Sequence, residues 1–108
     1  MPWSVETLNV TVDTELSELA PDIRARLVRI SELIESVGLP NVKEPHVRHI
    51  RGPLWKIRLK GKSGITRALY VTAREQRLVI LRAFVKKTEK TPTAEINLAL
   101  QRAKEVKP

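Results

Sequence analysis

Three β-strand patterns follow one another in the second half of the chain, and this block constrains the fold more than any other feature of the sequence. Each pattern is separated from the next by a turn too short to hold a helix. Strands joined by such short connections pair antiparallel, so the segment predicts a three-stranded meander. The strands cover residues 54–60, about 65–72 and 78–85, with turns at Gly61–Gly64 and near residues 74–76.

Two longer segments on either side of this block predict helices. Pro21 suits the first turn of a helix because its missing N–H needs no partner there, and Gly38 ends the same helix. Thr91-Pro92 begins the last helix. The apolar stripes are Ile23, Leu27, Ile30, Ile34 and Val37 in the first helix, and Ile96, Ala99, Leu100, Ala103 and Val106 in the second.

The remaining segments complete the predicted element order. Leu8–Asp13 alternates between apolar and polar residues, which predicts a strand, and Asp13 or Thr14 then caps a short helix. Residues 39–53 are rich in proline and are interpreted as a loop. The order β-α-α-β-β-β-α predicts one α+β domain over residues 1–108. We expect a small antiparallel-rich sheet with two N-terminal helices on one side and a C-terminal helix.

Charge is distributed unevenly along the chain. The formal net charge is +8, but residues 1–44 carry a net charge of −4 and residues 45–108 a net charge of +12. From His46 to Arg74 there are eight Lys or Arg residues and no acid. A field of one sign over half of a small domain indicates a polyanionic partner, with nucleic acid favoured over a membrane surface.

The residue types that the chain lacks exclude several classes of site. Absence of cysteine excludes disulfides, thiol catalysis and thiolate metal sites, and two histidines are too few for an ordinary zinc site, so we predict no metal and no cofactor. No P-loop, GxSxG, HExxH or Gly-rich dinucleotide motif occurs. The start has no signal-peptide pattern and the longest apolar run is Leu78–Leu81, so we expect a cytoplasmic protein without membrane contact.

A cationic strand face is the most informative feature for function. Lys56, Arg58 and Lys60 alternate with apolar residues and therefore point to one side, about 6.5–7 Å apart. Consecutive phosphates of a single nucleic-acid strand have a similar spacing, and both arginine and lysine bind phosphate oxygens. A solvated strand face that discourages edge pairing gives the same pattern.

Two arginines lie where the strand pattern calls for apolar residues. Arg67 shares its face with Ile65 and Leu69, so its guanidinium must meet a partner or line a cleft, with a structural ion pair as the alternative. Arg82 lies inside an apolar strand and is predicted to be structural.

Further residues are candidates for the same site. Lys86 and Lys87 end the last strand and, with the cations of the earlier strands, can form a pocket for a phosphate. Tyr70, His46 and His49 are candidates for proton transfer, since histidine titrates near neutrality and tyrosine has an acidic hydroxyl. The competing interpretations are a core tyrosine and loop histidines without a task.

These segments together resemble the RelE-type bacterial toxins. Trp55–Lys60 and Gly64–Val71 resemble the W/Y-K-I-R/K and G-x-x-R-x-x-Y strands of that family. Ala83–Pro92, with Glu95-Ile96 and Ala99, is similar to the F-x-K-K-T-x-K-T-P…E-I…A ending of the phage-derived HigB branch of the RelE/ParE superfamily. The resemblance covers nearly the whole chain and implies a RelE-like fold.

The resemblance also implies a function. Members of the family are growth-inhibiting toxins of type II toxin–antitoxin systems and act as ribosome-dependent mRNA endoribonucleases, or mRNA interferases. Their Lys and Arg side chains stabilise the phosphoryl transition state without a metal. The implied partners are an antitoxin with a helix-turn-helix part, the ribosome and mRNA, with operator DNA contacted only through the antitoxin.

By position, the resemblance implies catalytic roles for Lys56, Arg58, Arg67, Lys86 and Lys87. Tyr70 is added as a catalytic candidate for proton transfer, and the predicted RNA-binding residues are Arg48, His49, Arg51, Lys60 and Lys62. Two alternatives stay open: a ParE-like toxin that poisons DNA gyrase, and a phage-derived RNA-binding module that does not cleave. The cationic strand favours the nuclease, because a gyrase binder needs no aligned phosphate cradle.

Overall fold

A five-stranded sheet forms the centre of the fold. The computed structural model describes residues 2–42, 46–62, 64–87 and 90–107. Ser63 in the predicted hairpin turn, Lys43–Pro45 in the predicted loop, and Thr88 and Glu89 before the last helix lie outside the described residues. The elements are β1 (Ser4–Thr7), α1 (Val10–Ser17), α2 (Pro21–Val37), a short 3-10 helix (Leu39–Asn41), β2 (Val47–Arg51), β3 (Leu54–Gly61), β4 (Gly64–Ala73), β5 (Arg77–Val85) and α3 (Thr93–Ala103).

The sheet is mixed, with the strand order β1-β5-β4-β3-β2. Strands β2 to β5 form an antiparallel meander, and β1 pairs parallel with β5. Helices α1 and α2 connect β1 to the meander, as a parallel pairing requires a long crossover. The predicted α+β class and antiparallel-rich sheet are therefore confirmed.

Helices cover both faces of the sheet. On the first, here called the α2 face, the buried stripe of α2 packs with Val12 of α1 against β3, β4 and β5. On the second, the α3 face, Ile96 and Ala99 pack against Leu69 and Leu81. Helix α2 has the predicted bounds and ends at Gly38 with φ 87°, although Val37 of its predicted stripe is exposed.

The strand predicted over Leu8–Asp13 is wrong. The strand lies earlier, at Ser4–Thr7, and α1 begins at Val10. The side chain of Asn9 caps α1 by accepting a hydrogen bond of 3.0 Å from the Val12 N–H. The β-branched residues that produce the alternating pattern are thus helical, because the cap begins a helix that buries Val12 completely.

The loop predicted over residues 39–53 is also wrong in part. Residues Val47–Arg51 form β2, in which Val47 pairs with Ile57 of β3. The turn to β3 passes through Gly52, whose φ of 53° suits glycine. Strand β2 forms because β3 offers its free edge and the core accepts the Val47 side chain, and neither condition is visible in local composition.

Candidate functional site

Cations gather on the α3 face, where α3 packs on β5 and β4. Arg48 pairs with Lys56 across β2 and β3, and Arg58 pairs with Arg67 across β3 and β4. Directly paired residues project to the same side of a sheet. Lys86 follows β5, and its N–H donates to the carbonyl of Ile65 on β4 over 2.7 Å. We call Arg48, Lys56, Arg58, Arg67 and Lys86 the cation cluster.

Lys56 lies at the centre of the cation cluster. Burial lowers the pKa of its ammonium group, and the charges of Arg67, Arg48, Lys86 and Arg58 lower it further. A lysine whose charged form is disfavoured in this way gives up its proton more readily than an ordinary one. Lys56 is therefore the member of the cluster best suited to accept a proton from a substrate.

Arg67 is the buried member of the cluster. Only 4% of it is exposed, and its Nη1 donates a hydrogen bond of 2.6 Å to the hydroxyl of Thr91, just before α3. The prediction that this guanidinium meets a partner is confirmed. Its charge acts on Lys56 from beneath the surface on which a ligand would lie.

Arg82, by contrast, is held by carboxylates. Its Nε and Nη2 donate to the two oxygens of Glu95 at 2.8 and 3.2 Å, and its Nη1 lies 3.1 Å from Glu15. Glu15 also accepts two hydrogen bonds from Arg102. This network joins α1, β5 and α3, in agreement with the structural role predicted for Arg82.

The structure separates two predicted site residues from the cation cluster. Tyr70 follows Arg67 by three positions on β4, so strand alternation places it on the α2 face, where it is 1% exposed and burial raises its pKa. This placement agrees with the alternative interpretation of Tyr70 as a core residue. His49 lies on the same face, with its ring centroid 5.0 Å from that of Trp55.

The other predicted residues lie at or beyond the margins of the cluster. Lys60 is exposed on the α3 face of β3, the face of the cation cluster. Lys87 is exposed after Lys86, and Arg51 is exposed at the end of β2. The backbone N–H of Lys62 donates to Asp22 at the start of α2 over 2.8 Å. His46 is exposed just before β2.

Sequence reasoning missed two features of this site. Thr91 is read from the sequence only as the start of a helix, whereas its hydroxyl holds Arg67. Arg48 is read as a loop cation, whereas β2 places it directly opposite Lys56. Thr91 lies 24 positions from Arg67 in the sequence, so no local pattern points to this contact.

Neither a cluster of metal ligands nor an apolar helix of membrane-spanning length occurs among the residues that the structure describes. Within them, no group of three or more His, Asp or Glu side chains lies close enough together to hold a metal ion. No helix among them has both the length and the apolar character needed to cross a membrane.

A comparison with protein families identifies the family of this chain. The family model described as "Phage derived protein Gp49-like (DUF891)" matches residues 14–104. The chain belongs to this Gp49-like family. The phage-derived part of the resemblance is thereby confirmed.

Solved structures similar to this Gp49-like chain have the RelE fold. A double mutant of E. coli toxin RelE in the free state superposes with a TM-score of 0.67 at 17% identity, covering 94% of this chain and 98% of that one. A chain of the archaeal RelE–RelB complex from Pyrococcus horikoshii OT3 gives 0.58 at 19% identity, covering 81% and 98%. The predicted RelE-like fold is confirmed. No curated protein matches the sequence significantly.

Proposed function

We propose that this Gp49-like protein is the toxin of a toxin–antitoxin pair and that it cleaves mRNA on the ribosome. The observation that carries the proposal is the convergence of Arg48, Arg58, Arg67 and Lys86 on Lys56. A set of cations gathered on one face suits an anionic ligand. The likeness to toxin RelE supports a toxin, and the family resemblance of the sequence implies RNA as that ligand.

The cation cluster suits transfer at a phosphodiester. In the proposed reaction the 2′-oxygen bonds to the adjacent phosphorus while the bond to the 5′-oxygen breaks, leaving a 2′,3′-cyclic phosphate and a 5′-hydroxyl. Negative charge grows on the non-bridging oxygens at the transition state. Arg58 is exposed to meet them, and Arg67 adds a fixed charge from below, so little reorganisation is needed.

Lys56 supplies proton transfer in this scheme. Its lowered pKa increases the fraction of neutral amine, which accepts the proton of the 2′-hydroxyl as the new bond forms. The departing 5′-oxygen takes up a proton in turn. Tyr70 has no part in this step because its hydroxyl is buried on the other face.

The partners follow from the same proposal. An antitoxin of complementary charge covers the cation cluster, and its helix-turn-helix part binds operator DNA. The RelE–RelB complex supports an antitoxin as a partner of this fold. The toxin acts where ribosomes are, in the cytoplasm.

Induced expression with primer extension on translated mRNA tests the function. We expect cuts within codons at the ribosomal A site, and a loss of about 100-fold in cleavage for Arg58→Ala, which removes an exposed group without disturbing the core. Lys104→Ala, at an exposed cation after α3, should cleave as wild type does. Intact mRNA with DNA damage would instead indicate gyrase poisoning, and RNA binding without cuts would indicate a non-cleaving module.

A further inference from the structure

An aromatic cavity of about 710 Å³ lies mainly on the α2 face, on the reverse side of the sheet from the cation cluster. Its lining includes both tryptophans of the chain, Trp3 and Trp55, together with Tyr70 and His49. Trp, Tyr and Phe total four residues in this chain, so three of the four face one space. The proposed cleavage uses none of them.

A row of side chains across three strands forms one wall of the cavity. His49, Trp55 and Tyr70 are register partners on β2, β3 and β4, so they lie side by side. The rings of His49 and Trp55 meet edge to face. Trp55 is 39% exposed, which leaves part of its ring accessible to a ligand. Trp3, close to Gly38, also lines the cavity.

Arg48 connects the cavity to the cation cluster. It lines the cavity, and it is also the register partner of Lys56. Because β2 is an edge strand, a nucleic-acid chain lying on the cluster can pass around this edge. His49 follows Arg48 and Trp55 precedes Lys56, so the aromatic row and the cations are one residue apart on both strands.

We propose that this cavity is a subsite for an unpaired nucleobase of the RNA whose backbone lies on the cation cluster. The inference rests on the proposed function. Proteins that hold single strands combine a cationic track with aromatic side chains on which bases stack, and both parts meet here at one sheet edge. Arg48 in the lining, next to the cation cluster, favours a phosphate-linked base over the apolar side chain of a protein partner.

Tryptophan emission reports on this cavity directly, because both tryptophans line it. The probes are two 2′-O-methyl RNA hexamers, which resist cleavage, one complete and one with abasic central positions, each with a 5′ fluorescein. Anisotropy measures binding of the backbone, and tryptophan quenching measures entry of a base. We expect both hexamers to bind at low salt, the complete hexamer about tenfold more tightly than the abasic one. Only the complete hexamer should quench the tryptophan emission.

Variants locate the effect. Trp55→Ala should abolish the tenfold preference for the complete hexamer, while the affinity for the abasic hexamer stays unchanged. His49→Ala, at an exposed rim position, should reduce the preference in part and keeps the test valid if Trp55→Ala fails to fold. Leu33→Ala, an exposed apolar residue on α2, is the control and should keep the full preference.

The outcomes separate the subsite from the function. Equal binding of both hexamers with unchanged emission overturns the base subsite and leaves RNA binding at the cluster intact. Absence of binding by either hexamer at low salt contradicts the proposed function and the subsite with it. Quenching by N-acetyl-leucinamide but not by adenosine overturns the subsite in favour of an apolar side chain of a protein partner.

Discussion

Lys56 destabilises the folded protein at the position where the proposed function requires a proton acceptor. Burial, followed by the charges of four neighbouring cations, lowers its pKa, so the folded protein disfavours the ammonium form. The unfolded chain binds that proton more tightly. The free energy of unfolding is therefore reduced below the folded-state pKa, and it recovers as the pH rises through that pKa.

Neutralising Lys56 should stabilise the protein. We expect Lys56→Met to raise the free energy of unfolding at pH 7 by about 1 kcal/mol in urea denaturation, because a desolvated charge is removed from among like charges. Part of the gain should disappear in salt near 1 M, where neighbouring charges are screened. Lys60→Met, exposed on the same face, should change stability by less than about 0.5 kcal/mol. An unchanged Lys56→Met midpoint at low salt would show that the cluster is not under electrostatic strain.

Strand parity decides which individual residues the sequence could place. Arg67 and Tyr70 are three positions apart on one strand, so the sequence alone puts them on opposite faces. The burial of Arg67 follows from the same reasoning, and the structure agrees. The contact between Arg67 and Thr91 joins residues 24 positions apart, and no local pattern specifies it.

At the scale of elements, a network of ion pairs joins the two ends of the chain. Burial alone would raise the pKa of Glu15, but the hydrogen bond from Arg102 and the charge of Arg82 outweigh it and hold the pKa below the ordinary 4.5. A carboxylate of this kind stabilises the fold above its unfolded-state pKa, and the contribution is lost as the pH falls through its folded-state pKa.

Glu15→Gln should therefore destabilise the protein at neutral pH. We expect a loss of about 2 kcal/mol, since Arg82 and Arg102 then lose the charged carboxylate that they share in a half-buried site. The difference from wild type should narrow as the pH falls below about 4.5, because the unfolded chain then takes up a proton at Glu15 before the folded protein does, and it is lost once the pH passes below the lowered folded-state pKa. Urea denaturation between pH 7 and pH 4 measures this. The control is Glu18→Gln, exposed at the end of α1, and a pH-independent loss for Glu15→Gln would contradict the assignment.

The β3–β4 hairpin lies directly on the start of α2. A Cβ at Gly61 would lie 2.5 Å from Ile23 Cδ1 and 2.6 Å from Asp22 Oδ2, so Gly61→Ala should cost about 1–2 kcal/mol by overpacking. Ile23→Val removes the nearer atom. In a double-mutant cycle, Gly61→Ala should therefore cost less in the Ile23→Val background than in wild type. Strict additivity would show that the clash is relieved elsewhere.

The elements that the sequence failed to predict are those that depend on distant partners. Helix α2 carries its own signals, Pro21 at its start and Gly38 at its end, and its bounds are confirmed. Strand β2 has proline on both sides and forms only because β3 pairs with it. The alternation of Leu8–Asp13 is a strand signal that yields to a helix cap at Asn9. The members of the cation cluster on β3 and β4 could be predicted from the strand pattern, whereas the position of Arg48 depends on the pairing of β2 with β3.

At the scale of the whole molecule, the charge asymmetry of the sequence becomes an asymmetry between elements. The acids of residues 2–42 lie in or beside β1, α1 and α2, whereas the cation cluster lies on β2, β3 and β4 and after the end of β5. Such an arrangement orients an approaching polyanion before contact, and it makes association sensitive to ionic strength.

Salt dependence of RNA binding measures how many of these cations meet phosphates. If Arg48, Lys56, Arg58 and Lys86 each neutralise one phosphate, the logarithm of the association constant should fall against the logarithm of salt concentration with a slope of about −3. Arg58→Ala should reduce the magnitude of that slope by about 0.7, since one phosphate contact is lost. Arg24→Ala removes an exposed cation on α2, away from the cluster, and should leave the slope unchanged. Equal slopes for the two variants would mean that RNA binding responds to the net charge of +8 and not to the cations of this face. That result would contradict the assignment of the cation cluster as the RNA-binding site.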